Sequence, residues 1–590
     1  MAANPADHDT LYRLSSIRLL LSAIYREEGS RGGQGDAAAL SAVNLNLALD
    51  AITHALALQP VADPYWSHFT ECASQARLTH PLDPRARDVM AQALEHPSTR
   101  PLALAGPILS LVQSRPAALA VENIPDAALD VDGNPGDSAR MREYLSDLFG
   151  EPLLLRLLQL TVVPDASLER WIRLARKLAL REALEQAGPG LPLTALAAIA
   201  QQCFATEYVY APASWEPDAM EKLVQSIESA LAGGIRIPLH QIATAACYRP
   251  LHELKGAERL GGILQGTLLQ DLHGGQVLAP EEERRLRATI AADAGSGDNA
   301  VSAAVGSLYE THPYPRWLKA VRTPAAGALR DHLRGLIPHS LPLADDATPS
   351  ILVAGCGTGL QSIETAQRYP DARVLAIDLS ATSLAYAMRK TRELGLGNVE
   401  YRQCDILELA SLPDRFDYIE SIGVLHHMED PLRGWRSLAG LLKPVGIMRI
   451  GLYSEIARRE LDPYIALVAD RNLSPDLEGI RRCREVVRET FGASHLLAAS
   501  PDFYCASGCR DMLFHVMEHR YTLPQIGAMA AQLNLEFLGL HLPGIEIADR
   551  YLAAFPDDPG MRNLDNWHRF ETANPWLFRG LCRFWVQARR

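Results

Sequence analysis

The sequence has few cysteines, no long apolar run and no excess of basic residues. Nine cysteines among 590 residues are scattered, without the regular spacing of a secreted disulfide framework, which favours a reducing cytoplasm. No apolar run reaches the roughly 18 residues of a membrane span, and the amino terminus carries no secretory pattern. The formal net charge of -13 argues against nucleic acid as a partner, because binding to phosphates needs a basic surface. We therefore expect a cytoplasmic protein without a membrane partner.

The remaining composition is that of an ordinary globular protein. Hydrophobic residues make up 48% of the chain and charged residues 22%, and its length allows about two to four domains. A folded enzyme is the starting expectation.

The first half of the chain is predicted to be helical. Residues 11–290 carry apolar side chains three or four positions apart. Residues 47–60 resemble the second helix of a tetratricopeptide repeat, but further copies do not recur at a period of about 34 residues. We predict a degenerate repeat-like region over residues 1–135 and a second helical region over 136–295. Predicted connectors contain glycine or proline and lie at 30–36, 130–137, 188–192 and 291–298.

The second half changes character. An aromatic and proline-rich connector at 296–345 leads into residues 346–590, where short β-rich runs alternate with helices. Such alternation predicts an α/β, Rossmann-like sheet, mostly parallel with an antiparallel last strand. An insertion at about 455–534 divides it. The predicted strands are 351–355, 373–378, 398–402, 416–421 and 447–453, followed by 535–542 and 582–587.

A glycine-rich loop follows the first predicted strand and precedes a helix. It consists of Gly355, Cys356, Gly357, Thr358 and Gly359. Glycines are needed where the backbone turns sharply and a ligand approaches without a Cβ in the way. A dinucleotide fingerprint would need another glycine where Leu360 stands, which disfavours nicotinamide and flavin dinucleotides.

Two carboxylates follow the next two strands. Asp378 ends the second strand at about the distance from the loop at which an acid meets ribose hydroxyls. Asp405 follows the third strand beside the apolar Ile406, a pair that suits an adenine amino group and ring face.

With these residues, segment 345–455 resembles the class I S-adenosylmethionine-dependent methyltransferases. The resemblance implies S-adenosyl-L-methionine as the cofactor, with the glycine loop bordering its methionine and ribose portions. It also implies that Asp378, with Leu379 beside it, binds the ribose and that Asp405 and Ile406 contact adenine. Residues 421–431, which include Ser421 and Gly423, look like the family's segment that closes over the methionine moiety.

Catalytic candidates lie in this segment. Methyl transfer needs alignment of the reacting groups, and a proton acceptor only where the nucleophile is protonated. His426 and His427 are the nearest candidates, since neutral imidazole accepts a proton near physiological pH. Local hydrogen bonding is the alternative role.

The insertion contains His515, Glu518 and His519, formally an inverted zinc-peptidase motif. We predict no metal, because that motif needs a third downstream ligand in its own fold. On a helix, these residues and Arg510 would form a polar face that lines the acceptor pocket. A hydrogen-bonded core cluster is the alternative.

The connector supplies further candidates on the substrate side. Tyr309, Tyr314, Arg316 and Trp317 lie in a segment that two prolines stiffen, which suits a lid or substrate wall. The alternative is an aromatic clasp that fixes the helical half to the sheet. Tyr309, His515 and His519 are also candidate catalytic residues.

The architecture favours a protein or peptide acceptor, because about 290 helical residues exceed what a small metabolite needs. The alternative is a small-molecule methyltransferase whose helical half serves dimerisation or regulation. A third hypothesis is a non-catalytic module that binds S-adenosylmethionine. The sequence leaves the acceptor atom and homo-oligomerisation open.

Overall fold

The computed structural model describes residues 8–30, 36–124, 135–185, 188, 190–290, 300–337, 340, 343, 346–411 and 414–589. The chain divides into two compact units. The first comprises residues 1–278, 317–322 and 493–506, and the second comprises 279–316, 323–492 and 507–590. The predicted connectors at 30–36, 130–137 and 291–298 fall wholly or largely outside the described residues. The predicted domain boundaries stay predictions.

The first unit is helical over its described residues, as the apolar spacing predicts. Its longer helices in chain order are α1 His8–Ser30, α2 Asp36–Leu58, α3 Asp63–Ser74, α4 Pro84–Glu95, α5 Ala105–Gln113, α6 Pro116–Glu122, α7 Pro135–Leu148, α8 Pro152–Leu160, α9 Ala166–Leu184, α10 Leu193–Ala205, α11 Glu216–Gly233 and α12 Leu239–Ala246. Two short helices, α13 Leu260–Leu264 and α14 Gln270–His273, follow. The relation to tetratricopeptide repeats stays a prediction.

Helix α9 illustrates how the sequence builds this unit. Asp165 caps its amino terminus by accepting a hydrogen bond from the backbone N–H of Leu168, which satisfies one of the donors that a helix leaves open. Leu168, Trp171 and Ile172 are buried on one face, the spacing expected of a helix packed against a core.

Among the described residues, no single helix is both long and apolar enough to cross a membrane. Residues 101–113 and 116–122 satisfy the length and composition criteria only when taken together, across a bend of 86°.

The second unit contains a seven-stranded sheet. Its strands are β1 Ser350–Ala354, β2 Arg373–Asp378, β3 Val399–Gln403, β4 Phe416–Ile422, β5 Leu442–Leu452, β6 Leu535–Leu540 and β7 Cys582–Ala588. They lie in the order β3-β2-β1-β4-β5-β7-β6. Strands β1 to β5 are parallel, and β7 pairs antiparallel with both β5 and β6. The predicted Rossmann-like sheet with an antiparallel last strand is therefore confirmed.

Helices connect and extend this sheet. They are α15 Ala279–Arg287, α16 Ala300–Thr311, α17 Leu329–Leu336, α18 Leu360–Arg368, α19 Ala381–Glu393, α20 Pro431–Ala439, α21 Glu455–Arg458, α22 Asp462–Asp470, α23 Leu477–Phe491, α24 Ala506–Leu513, α25 Leu523–Gln532, α26 Ile545–Ala554 and α27 Leu564–Ala573.

The sheet is buried on both faces, which explains why β1 is apolar at four of its five positions. Leu352 and Ala354 belong to one core cluster, with Trp435 and Trp567. Ile351 and Val353 belong to the cluster on the other face. The strand order reverses between β1 and β4, and ligands of open α/β sheets bind at the carboxyl ends beside such a switch point. The glycine loop follows β1 there, and residues 423–428 follow β4.

Candidate functional site

The glycine loop requires glycine at three positions. Gly355, Gly357 and Gly359 have φ angles of 74°, 51° and 86°, in the left-handed region that side chains disfavour. An added Cβ would lie 2.3 Å from Val424 Cγ2 at position 355, and 2.6 Å from the Tyr314 carbonyl oxygen at position 357. Conformation and space together exclude side chains, so the loop presents bare backbone at the carboxyl end of β1.

Asp378 ties the end of β2 to this loop. One carboxylate oxygen accepts a hydrogen bond from Gly357 N at 2.8 Å, and the other accepts one from Ser380 N at 3.0 Å. Burial raises the pKa of Asp378, although these two backbone donors oppose the shift. Each oxygen keeps a second acceptor site, so a ligand diol at this edge could still be bound.

The other predicted cofactor residues lie at the carboxyl ends of the neighbouring strands. Asp405 and Ile406 are buried after β3, and Asp405 accepts a hydrogen bond from Leu407 N at 2.9 Å. The carbonyl oxygen of Leu379 accepts one from the Gln403 side chain. Their assignment to adenine and ribose stays a prediction.

Strand β4 ends with a polar atom that suits a ligand. Ser421 is fully buried, and its Oγ has no hydrogen-bond partner among the described residues. Gly423, two positions later, has a φ of 81°. A buried hydroxyl without a partner is costly, so a bound polar ligand would relieve it.

The connector lies against the glycine loop. The carbonyl oxygen of Pro315 accepts a hydrogen bond from Thr358 Oγ1 at 2.5 Å, and the Tyr314 carbonyl faces Gly357. Glu310, at the end of α16, accepts hydrogen bonds from Ser380 Oγ and Thr382 N at 2.9 and 3.1 Å. The sequence did not predict these contacts. The Pro315 and Tyr314 carbonyls place connector backbone against the loop, and the Glu310 side chain holds the end of α16 to the residues after β2.

Two other connector residues, Arg316 and Trp317, were also predicted to lie on the substrate side. The guanidinium of Arg316 lies near Tyr386 on α19, where burial raises the pKa of the tyrosine to about 12 and Arg316 opposes the shift. Trp317 belongs to the first unit. The lid and clasp hypotheses for the connector side chains stay predictions.

A cluster of titratable side chains lies beyond β4, and we call it the histidine cluster. Its members are Tyr309, His426, His427, Asp511 and His515. The rings of His427 and His515 stack with centroids 3.6 Å apart and planes 22° apart. Tyr309 donates a hydrogen bond to Asp511 at 2.6 Å, and its hydroxyl lies 3.3 Å from His515 Nε2. The structure thus brings four predicted catalytic candidates together and adds Asp511, which the sequence analysis missed.

Backbone contacts with Met517 fix the tautomers of two of these histidines. His427 Nδ1 lies 2.8 Å from the Met517 carbonyl oxygen, so Nδ1 carries the proton and Nε2 keeps its lone pair in the neutral ring. His515 Nδ1 instead accepts a hydrogen bond from Met517 N–H at 3.2 Å, so its Nε2 carries the proton. His515 therefore donates toward Tyr309, and Tyr309 donates to Asp511.

Burial keeps the histidines of the cluster uncharged. It lowers the pKa of His427 to about 4 and the pKa of His515 to about 4. The pKa of His426 also falls well below its ordinary value, through burial and the neighbouring His427. Both ring nitrogens of His426 lack a hydrogen-bond partner among the described residues, although the ring lies 3.9 Å from that of Tyr453.

The predicted polar helix face in the insertion is wrong. Helix α24 ends at Leu513, so His515, Glu518 and His519 lie in an irregular segment. Glu518 pairs with Arg458 at 2.6 Å and with Arg520 at 2.7 Å, and these cations hold the pKa of Glu518 below its usual value despite burial.

His519 and Arg510 are held apart from the stacked pair by other contacts. His519 donates its backbone N–H to the carbonyl oxygen of His426 at 2.8 Å, and its ring stacks on Tyr521. Arg510 donates from Nε to the Pro475 carbonyl oxygen at 2.6 Å. The backbone of the segment thus supports the cluster, while only His515 of the predicted motif contributes its ring.

His427, Asp511 and His515 could each offer a ligand atom to a metal, with these atoms within 4.8 Å of one another. Two features oppose shared coordination. In-plane lone pairs of two nearly parallel stacked rings do not converge on one ion, and the proton on His515 Nε2 occupies the site that a ligand would need. The arrangement fits a hydrogen-bonded relay better than a metal site.

Comparisons with known proteins bear on this unit. Residues 351–446 match the family model described as a methyltransferase domain. Protein syc1184_c of a Synechococcus strain, described as uncharacterized, is 31% identical over 251 residues, covering 41% of this chain and 60% of that protein. A ubiquinone biosynthesis O-methyltransferase of Pseudomonas fluorescens is 38% identical over 101 residues, covering 17% of this chain and 42% of that enzyme.

Among solved structures, PKMT2 from Rickettsia typhi is 20% identical, with a TM-score of 0.34, and the match covers 44% of this chain and 53% of that one. The chain thus spans about 60% or less of the length of each of these relatives. The matched family region contains the glycine loop, the two acids and the segment after β4.

Proposed function

We propose, on the premise that residues 351–446 form a class I S-adenosylmethionine-dependent methyltransferase domain, that the chain catalyses methyl transfer from S-adenosylmethionine to an acceptor. The observation that carries this proposal is the placement of the glycine loop and the histidine cluster. The loop follows β1, and His426 and His427 of the cluster follow β4, on the two sides of the point where strand order reverses. Cofactor and acceptor sites would therefore be adjacent.

The residues present fit the cofactor. The loop offers close backbone approach, Asp378 offers acceptor oxygens for a ribose diol, and the orphaned Ser421 hydroxyl would gain a partner. Asp405 and Ile406 would contact adenine. When bound, S-adenosylmethionine supplies a methyl group already activated by its sulfonium.

The histidine cluster would orient the acceptor through a hydrogen bond. His427 would take the acceptor's proton only transiently, because burial lowers the pKa of this ring to about 4. The lone pair of His427 Nε2 can accept a hydrogen bond from an acceptor N–H or O–H, and the Met517 carbonyl holds the ring in the required tautomer. The stacked ring of His515 and the ring of Tyr453 would exclude water from this position. His427 is the proposed catalytic residue, and Asp511 a positioning residue that acts through Tyr309.

We propose that the acceptor is a protein or peptide. The support is the size of the first unit, whose helices would offer an extended binding surface. The alternative, a small-molecule acceptor, is favoured by the complete burial of His426 and near-complete burial of His427, because a closed pocket suits a compact substrate.

One experiment separates these acceptors. The full chain is incubated with methyl-labelled S-adenosylmethionine and a lysate of the source organism, and the products are separated by size. We expect label in the macromolecular fraction that protease digestion releases. Label confined to small molecules would contradict a protein acceptor, and tight cofactor binding without labelling of any fraction would support the non-catalytic hypothesis. The chain carrying His427→Asn serves as the matched control for background labelling.

A further inference from the structure

Helices α1 and α2 form an antiparallel hairpin with a fixed register. Ser22 Oγ donates to the Ser41 carbonyl oxygen and Ser41 Oγ donates to the Ser22 carbonyl oxygen, each at 2.8 Å. Seven residues earlier, Ser15 Oγ donates to the carbonyl oxygen of Ala48 at 2.7 Å. These small buried side chains let the two backbones approach closely, so the hairpin is held by its own contacts.

Another face of this hairpin exposes large apolar side chains to solvent, and we call it the hairpin patch. Four residues lie on α1 and three on α2. Their exposed fractions are 42% for Leu14, 57% for Ile17, 63% for Leu20, 43% for Ile24, 42% for Leu40, 52% for Val43 and 43% for Leu47. Isolated exposed apolar residues are ordinary, but contiguous ones mark an interaction surface.

The patch has the period of helix-on-helix packing. On α1, the patch residues Leu14, Ile17 and Ile24 and the half-buried Leu21 between them are spaced three and four apart in turn, and Leu20 stands outside this series. On α2, Leu40, Val43 and Leu47 continue the same spacing. This is the alternation of apolar positions along a coiled-coil seam, so the surface that would cover the patch is itself helical.

The core of the first unit does not use this face. A small buried cluster joins Leu19, Leu45 and Ala48 of the hairpin to Cys72 on α3 and Ala76 just beyond it. These hairpin positions differ from those of the patch. Helix α3 thus covers one side of the hairpin and leaves the patch exposed.

We propose that the hairpin patch is covered by the same patch of a second copy of this chain, so that two hairpins form a four-helix bundle about a two-fold axis. A seam with one period on both helices is complementary to itself under such an axis. The patch offers on the order of 600 Å² of apolar surface, the upper end for a monomer. With its rim it would approach the roughly 800 Å² per partner of a standard stable interface.

A second copy fits this surface better than the acceptor of the proposed function. An acceptor must leave after each turnover, and transient interfaces are small and more polar than permanent ones. The seven patch residues carry no charge, and the hairpin needs no rearrangement to present them. The inference is independent of the proposed methyl transfer.

The test is the mass of the full-length chain in solution, measured by light scattering during size-exclusion chromatography over a wide concentration range. We expect twice the mass of one chain for the wild type. The double variant carrying Ile17→Glu and Val43→Glu should have half that mass, because charges at the seam cannot be desolvated without partners. The matched control is Leu119→Glu on α6, a position 69% exposed outside the patch, which should remain a dimer.

A wild-type chain that is monomeric at every concentration would overturn the proposal. The patch would then be covered by another protein or by another part of the same chain. A double variant that stays dimeric would overturn it equally. A second measurement guards against misfolding of that variant. All nine native cysteines are buried, so Leu20→Cys introduces one accessible thiol, and a bifunctional maleimide should join two chains through it but not through Leu119→Cys.

Discussion

At the scale of single residues, the backbone C=O and N–H of Met517 give His427 and His515 opposite hydrogen-bonding roles. The carbonyl oxygen selects the His427 tautomer with a free Nε2, and the N–H selects the His515 tautomer with a protonated Nε2. Two side chains of the same type in contact thus become one acceptor and one donor. Such assignments depend on backbone position, which no sequence motif encodes.

The role of His427 can be tested with two isosteres. Asn at this position keeps a donor near the Nδ1 site for the Met517 carbonyl but removes the Nε2 acceptor, whereas Gln places a polar group near the Nε2 site. We expect His427→Asn to lower kcat by roughly 10²- to 10⁴-fold, the usual range for a lost proton acceptor. Cofactor affinity, measured by calorimetry, should stay unchanged.

Partial recovery of kcat in His427→Gln relative to His427→Asn would support hydrogen bonding at Nε2. Equal activity of His427→Asn and the wild type would remove His427 from the mechanism.

Asp378→Ala tests the cofactor site. This variant removes a charged hydrogen-bond acceptor for the ribose and also the hydrogen bond that holds Gly357 to the end of β2. We therefore expect S-adenosylmethionine binding to weaken by roughly 10- to 100-fold. Calorimetric titration measures this change. The exposed Asp371, at the turn before β2, provides the control, and Asp371→Ala should bind as the wild type does. Unchanged affinity of Asp378→Ala would sink the ribose assignment.

The separation of residues along the chain decided which parts of the site could be predicted. The glycine loop and Asp378 lie within one βαβ unit, so strand, turn and acid could be recognised together. Tyr309 and Asp511 are 202 positions apart, and Asp511 stands in no motif. Their contact depends on tertiary packing, which leaves no local signal.

At the scale of elements, helix ends and strand starts were the least predictable features. Strand β5 was predicted from residue 447 but begins at Leu442, because its pairing with β4 continues across an irregularity that places Val445 at a φ of 58°. In the insertion, the four-residue spacing of His515 and His519 suggested a helix that stops at Leu513.

The packing of the connector on the glycine loop yields a test with a matched control. Gly357→Ala places a Cβ 2.6 Å from the Tyr314 carbonyl, so backbone must shift, and we expect cofactor binding to be lost. Gly395→Ala has a similar φ of 66° with nothing within 4 Å, and should cost about 1 kcal/mol of folding stability through conformation alone. Calorimetry and chemical denaturation measure the two effects. Equal cofactor affinities for both variants would contradict crowding at the loop.

At the scale of the whole molecule, the cysteines are sequestered. None of the nine forms a disulfide, and all are buried. Burial raises the pKa of Cys356 and of Cys582 well above the ordinary value. We expect native protein to react with none of its thiols on the time scale of a colorimetric thiol assay, and the denatured chain to titrate nine. Rapid labelling of a native thiol would show that the helical or sheet unit opens locally.

The buried histidines make stability depend on pH. His427 and His515 have folded pKa values of about 4, below the unfolded value of about 6.5. Between these values the unfolded chain binds more protons, so stability falls as pH decreases from about 6.5 toward 4. At pH 5.5 each of the two histidines should lower the free energy of unfolding by roughly 1 kcal/mol relative to its value at pH 7.5.

Denaturation curves at the two pH values measure this dependence, and the double variant His427→Asn with His515→Asn should lose part of it. Glu571 opposes the trend, since burial raises its pKa to about 6 and a raised carboxyl pKa favours the folded state as pH falls. A stability that increases between pH 7.5 and 5.5 would contradict the predicted dominance of the histidines.

The neutrality of the three imidazole rings in the histidine cluster has a consequence for solvation. A sulfonium carries a full positive charge, which the proposed reaction spreads over sulfur, carbon and acceptor as the bond shifts. Uncharged imidazoles and a tyrosine ring stabilise a concentrated charge less than water does, so they raise the energy of the reactants more than that of the dispersed transition state. Because the three rings stay uncharged, they would solvate the sulfonium of the bound cofactor less well than water does, and this would lower the barrier to methyl transfer.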